Sequence, residues 1–259
     1  MKTHGKAWPV AAALVVLVLA ACGDSGADTS EFDLVSEGVL TVCTDAPYEP
    51  FEFEDPDSPS GFDGFDVDVV EQIADDLGLD PEFIITPFDG IWLQPQAGNC
   101  DIVASAMTIT EDRAANALFS DPYFDADQSL LVRAAESDLT LQDMVGRTIG
   151  VQTGTTGEIY ATDNAPDGAE LRSYDEPAAM FLALESGDID AILQDLPVNG
   201  FRSTRDDKFV VSDTFSTGEQ YGISAAQDNE ALIDAMNESL ADMRDSGDYD
   251  DIFARWFGG

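Results

Sequence analysis

Apolar residues alternate along this chain between short unbroken runs and stripes at helical spacing. Val39-Leu40-Thr41-Val42-Cys43 is a strand-like run. After Gly64-Phe65-Asp66-Val67-Asp68, residues Val69, Val70, Ile73, Ala74 and Leu77 recur with the period of one helix face, and Gly78 stands where a helix would stop. Phe83-Ile84-Ile85 and Ile102-Val103-Ala104 again read as strands. The pattern then restarts, with a strand at 147–151, a helix carrying Met180, Leu182, Ala183 and Leu184 up to Gly187, and a strand at 189–193 running into Gln194-Asp195. Leu232, Ile233, Met236, Leu240 and Met243 form the stripe of a long helix ended by Gly247, and Ile252, Phe253, Trp256 and Phe257 sit on a short last one. Strands alternating with helices predict an α/β fold with mostly parallel sheets. The restart predicts two such units, and the stripes read as core rather than as cofactor sites. Two polar stretches, 125–128 and 216–220, are the expected connections between the units.

Charge narrows the partners. With 11 Lys+Arg against 52 Asp+Glu the formal charge is −41, which repels nucleic acid and anionic lipid headgroups. The bland reading of that charge is solubility. The hydrophobic share of 44% still allows real cores.

Lys2 and Lys6 precede an apolar run at 11–21 that is too short to span a bilayer, which disfavours an uncleaved anchor. Its end, Leu19-Ala20-Ala21-Cys22-Gly23, resembles the lipobox of bacterial lipoproteins. The resemblance implies a signal peptide at 1–21, a lipid on Cys22 and a polar tether over 22–31. Cleavage also removes His4, the sole histidine. A chain without histidine has no Ser-His-Asp or Cys-His mechanism and no histidine metal ligand. Two cysteines cannot make a zinc site alone, and no metal and no cofactor are expected. Cys43 and Cys100 remain as an even pair, favouring a disulfide over two buried free thiols in an oxidising compartment.

No Lys or Arg occurs between Lys6 and Arg113. Arg113 follows Thr108-Ile109-Thr110-Glu111-Asp112, where Thr110 is a good N-cap and the acids suit a first helical turn. Ligands of open α/β sheets bind beyond the carboxyl ends of strands, and a guanidinium there can grip a carboxylate through two hydrogen bonds. From spacing alone, a surface ion pair with Asp112 or another acid explains Arg113 at least as well. Gln152-Thr153-Gly154-Thr155-Thr156 is a second anion-ready turn, without the lysine of a P-loop. Asp195 either holds an ammonium or merely caps the next helix.

These segments together resemble the polar amino acid-binding proteins of ABC importers, the family-3 extracellular solute-binding proteins. The resemblance rests on residues 44–53, 64–68, 100–110, Arg113, 119–123, 150–155 and 189–195, in family order from about residue 35 onward. It implies a two-lobed type II periplasmic binding protein fold. Lobe 1 would comprise 32–124 and 221–259, lobe 2 would be 129–216, and hinges would lie at 125–128 and 217–220. Arg113 would clamp a ligand α-carboxylate, helped by the Thr108 N–H and by Thr156. Asp195 would hold the α-ammonium, with the Ala106 carbonyl and Thr108 hydroxyl completing its shell. Tyr48 and Phe88 would sandwich the side chain, Asp45 and Gln152 would face its polar end, and Gln194 would lie close by. Relatives often read Gly-Leu/Ile-Ile-Pro-Ala-Leu after the Phe88 position, whereas this chain reads Gly90-Ile91-Trp92-Leu93-Gln94-Pro95. Pro95 is expected to shorten or kink that helix.

The expected function is therefore capture of a glutamine-like or basic amino acid by a monomeric, lipid-anchored extracytoplasmic protein. Its expected partners are an ABC permease and its ATPase. Dehydratases of aromatic amino acid biosynthesis that share the fold are the alternative, with Asp45 or Asp195 as the acid. Because Phe257-Gly258-Gly259 ends the chain, a sensor ectodomain of a larger protein is disfavoured.

Overall fold

The computed structural model describes residues 1–2 and 31–258. The expected leader beyond residue 2, Cys22 and the tether through residue 30 lie outside the described residues. The first half contains β1 (Val39–Thr44), β2 (Phe53–Glu54), β3 (Phe62–Asp63), α1 (Phe65–Leu77), β4 (Asp80–Ile85), β5 (Ile102–Val103), α2 (Glu111–Ala114), β6 (Leu118–Phe119) and β7 (Phe124–Arg133). The second contains β8 (Thr148–Gln152), α3 (Thr156–Asn164), β9 (Glu170–Tyr174), α4 (Pro177–Ser186), β10 (Ala191–Asp195), α5 (Leu196–Arg205) and β11 (Phe209–Tyr221). β12 (Ser224–Ala225), α6 (Glu230–Ser246) and α7 (Asp248–Phe257) close the chain. The helix stops expected at Gly78, Gly187 and Gly247 are all left-handed C-caps.

Two five-stranded sheets result, ordered β4-β1-β5-β12-β6 and β11-β7-β10-β8-β9. Each is mixed rather than mostly parallel. β4-β1-β5 and β10-β8-β9 are parallel, as strand–helix alternation predicts. β12 runs antiparallel to β5 and β6, and β7 runs antiparallel to β10 and β11. The reason is connectivity: β7 and β11 carry the chain between the halves in opposite directions, so they pair head to tail. The stretches 125–128 and 216–220, read as polar connections, therefore lie within these two strands, the second with a break in register between Phe215 and Glu219.

Along β7 successive side chains point to opposite faces. Leu130 and Val132 join one core with Ile149, Val151 and Leu193, while Leu131 joins another with Met180, Leu184, Ile192 and Phe209. The first sheet packs Leu40, Val42 and Ile102 against Val70 and Ile73 of α1 and against Leu232, Met236 and Leu240 of α6. Where the crossing strands meet this core, the Phe124 and Tyr221 rings stack at 5.5 Å. Phe51, Phe65 and Phe257 close around them. Gly64 lets the loop before α1 lie flat on Phe51: its φ is 141°, and a Cβ there would fall 2.1 Å from the Phe51 carbonyl oxygen.

Cys43 and Cys100 form a disulfide beneath Phe88, Ile91 and Met107, across a separation of 57 residues. Pro95 follows a helical turn cut down to Ile91–Leu93. Because the disulfide closes a long loop of the unfolded chain, Cys43→Ser with Cys100→Ser is expected to lower stability by about 2–4 kcal/mol. Denaturant unfolding of the two proteins under oxidising conditions measures this, and equal midpoints would contradict it.

Candidate functional site

The candidate site is assembled from strand ends. β1 leads into Asp45 and Tyr48, β5 into Ser105, Ala106 and Thr108, β8 into Gln152, and β10 ends at Asp195. These face one another across a narrow cavity between the sheets. The cavity brings together Asp45, Tyr48, Phe88, Ala106, Thr108, Arg113, Gln152, Thr156 and Asp195, with Ser105 and Thr155 added. Gln194 is not among them, because its amide donates to Asn199 at 2.8 Å.

Arg113 is placed by its short helix, where the Thr110 hydroxyl accepts from the Arg113 backbone N–H at 3.2 Å. Its side chain does not pair with Asp112. It is 4% exposed and forms no ion pair among the described residues. Nη1 donates to the Thr108 carbonyl at 2.7 Å, and Nη2 reaches across to the Gly154 carbonyl at 3.1 Å. Phe88 and Trp92 present ring faces 5.1 and 5.0 Å from the guanidinium carbon. Burial brings its pKa down to about 10, against the pull of Asp195 and Glu219, so the group stays charged at neutral pH. Burying a charge whose direct contacts are only carbonyls and rings costs several kcal/mol, which an anion in the cavity would offset. The backbone N–H groups of Thr108 and Thr156 are further donors without a partner among the described residues.

Asp195 is the opposite pole. It occupies the N-cap position of α5, yet its side chain makes no capping bond. Instead it accepts from Tyr48 at 3.0 Å, Tyr221 at 2.5 Å and Gln128 at 2.5 Å. Burial pushes its pKa up to about 6, Glu219 adds to the rise, and these three donors oppose it. Asp45 accepts from Gln152 at 2.6 Å across the cavity. Burial also raises Asp45 to about 6, opposed by the Gln152 bond and reinforced by Glu176. Ala106 has the left-handed φ of 42°, unusual for a residue with a Cβ. Asp66 secures that turn by accepting from the Ala106 N–H and the Tyr123 hydroxyl, each at 2.7 Å.

Four contributors escaped the sequence reading. Trp92 was visible only as a departure in the 90–95 segment. Gln128 and Glu219 lay in stretches read as connections, and Tyr221 in a strand with no local chemical signal. Their partners are distant in sequence, and no spacing rule reaches them.

A family model, bacterial extracellular solute-binding proteins, family 3, matches residues 40–259. The chain belongs to this family. The chain is similar to a probable histidine-binding protein of Neisseria gonorrhoeae, 33% identical over 97% of this chain and 96% of that one. An ABC transporter glutamine-binding protein of Bacillus subtilis is 29% identical over 93% and 92%. Among solved structures, an ancestral arginine-binding protein bound to glutamine has a TM-score of 0.79 at 36% identity, covering 86% of this chain and 100% of that one. An ancestral amino acid-binding protein described as a precursor of cyclohexadienyl dehydratase has a TM-score of 0.78 at 36% identity, covering 85% and 96%. The fold is thus the two-lobed type II periplasmic binding protein fold that the resemblance implied. The family implies an amino acid ligand and ABC transporter partners, and the relatives named here are binding proteins. Among the described residues no helix is long and apolar enough to cross a membrane.

The raised carboxyl of Asp45 has a stability consequence. Its native pKa of about 6 exceeds the ordinary 3.8, so the folded state holds a proton the unfolded chain releases. Its contribution is complete below the ordinary value and is lost as pH rises through about 6. Asp45→Asn should therefore flatten the fall in stability between pH 4 and pH 6, read as denaturation midpoints across that range. An unchanged slope would contradict the assignment.

Proposed function

We propose that this protein captures a polar amino acid, glutamine-like or basic, between its lobes and delivers it to an ABC permease and its ATPase. The observation that carries the reading is the buried guanidinium of Arg113, without a carboxylate of its own, in one cavity with the buried carboxylate of Asp195. An α-amino acid carries the complementary pair of charges. In this reading Arg113 and the N–H groups of Thr108 and Thr156 take the α-carboxylate. Asp195, the Ala106 carbonyl and the Thr108 hydroxyl oxygen take the α-ammonium. Tyr48 and Phe88 flank the side chain, and Asp45 with Gln152 meets its far end. Asp45 repels an acidic side chain, and either accepts from an amide or pairs with a cation.

The same reading assigns 32–124 and 221–259 to lobe 1, 129–216 to lobe 2, and the hinges to 125–128 and 217–220, inside β7 and β11. It places the protein outside the cytoplasm as a monomer, held to the membrane by a lipid on Cys22. It assigns no reaction to the site. The likeness to a dehydratase precursor and the raised carboxyl groups of Asp45 and Asp195 favour turnover as the second reading. The presence of both charged poles supports binding over turnover.

Calorimetric titration of the refolded mature chain with the twenty amino acids tests this. One tight ligand is expected. Because truncating one partner of a buried charge pair costs several kcal/mol, Arg113→Ala and Asp195→Asn should each weaken binding by about a hundredfold or more. Absence of heat with every amino acid, or new aromatic absorbance on incubation with prephenate or arogenate, would overturn it.

A further inference from the structure

Glu219 lies on crossing strand β11, just after a break in its register with β7. It does not line the cavity, yet it touches much of what does. Its Oε2 accepts from the Thr108 hydroxyl at 2.7 Å and from the Thr156 hydroxyl at 2.6 Å. Its Oε1 accepts from Gln128 at 3.0 Å and Thr217 at 2.9 Å. Gln128, on the other crossing strand, gives the same amide nitrogen to Asp195 at 2.5 Å. One carboxylate thus ties a threonine from each lobe to both crossing strands.

The chemistry of these bonds has a direction. An ionised carboxylate only accepts, and a hydroxyl has a single hydrogen to give. The two threonine oxygens lie 3.4 Å apart, and both bonds to Glu219 are shorter than that. Each threonine therefore spends its hydrogen on Glu219 and turns only lone pairs toward the cavity. At that corner the side chains favour a donor and disfavour an acceptor. Any help that Thr108 and Thr156 give an anion comes from their backbone N–H groups.

We propose that Glu219 is a positioning residue that fixes the Thr108 and Thr156 hydroxyls as acceptors and so selects for a ligand ammonium beside them. The inference rests on the amino acid reading of the cavity. It adds a specificity determinant outside the residues that touch the ligand. Without the carboxylate, both hydroxyls are free to rotate and donate, and the corner loses its preference for a cation.

The test is calorimetry on the full mature chain, unaltered and as Glu219→Gln and Glu219→Ala. L-Arginine, L-histidine and L-glutamine are the probes, together with the desamino counterpart of whichever binds most tightly, followed by displacement. Because charge-assisted hydrogen bonds are the stronger ones, both variants should lose about tenfold or more in affinity for the amino acid. Affinity for the desamino counterpart should change far less, so the ratio between the two ligands collapses. Thermal melting of the unliganded variants reads the loss of the four hydrogen bonds separately from the loss of ligand, and Glu219→Gln should melt closer to the parent than Glu219→Ala. A purely structural role would weaken both ligands together, and that result overturns the proposal. Unchanged affinity for the amino acid in both variants overturns it too, leaving the amino acid reading intact. If the parent chain binds none of the three amino acids or the remaining seventeen, the amino acid reading fails and this proposal fails with it.

Discussion

A guanidinium buried between two lobes governs the architecture of this protein. Arg113 needs partners, and its own sheet supplies only the Thr108 carbonyl and two aromatic faces. The other lobe adds the Gly154 carbonyl. Each of these is a dipole or a quadrupole, weaker than the carboxylate a buried cation ordinarily demands. The remaining demand points into the cavity. Asp195, Asp45 and Gln152 then read as the counterparts that a charged, partly polar guest would meet.

The supporting layer explains how such a site stays in shape. Asp66 holds Ala106 in its left-handed backbone conformation at the cavity wall. Ser105 accepts from the Asp45 N–H at 2.9 Å and donates to buried Glu52 at 2.7 Å. Burial and the neighbouring Asp66 hold Glu52 well above the ordinary carboxylate range, favouring its neutral form. The disulfide packs in one cluster with Phe88 and Trp92, the two rings that face Arg113. Precise placement of the cavity groups thus depends on a second rank of residues that never reach it.

Much of this was legible in the sequence because the signals were local. Thr110 announced the start of a helix, so Arg113 could be placed at a strand-to-helix turn. Asp195 could be placed at a strand end by the apolar run before it. Glu219 could not be placed, because its bonds to Thr108 and Thr156 span 111 and 63 residues. Strand direction has no local signature either, so the mixed sheets emerged only with the connectivity. Residues 125–128 looked like a loop because a strand crossing between lobes is solvated on one side and lacks a continuous apolar run. Even the question of an ion pair at Arg113 needed three dimensions, since Asp112 is adjacent in sequence yet does not pair with it among the described residues.

The two sheets draw on the chain differently. Every strand of the second lies between residues 124 and 221, whereas the first takes β1, β4, β5 and β6 from the early chain and β12 from residues 224–225. β12 lies inside that first sheet, between β5 and β6, and α6, which packs on it, comes later still. A chain that emerges amino end first can therefore complete its second sheet while the first still lacks an interior strand. The half begun earlier is the half finished last, and until then β5 and β6 present unpaired edges to any neighbour.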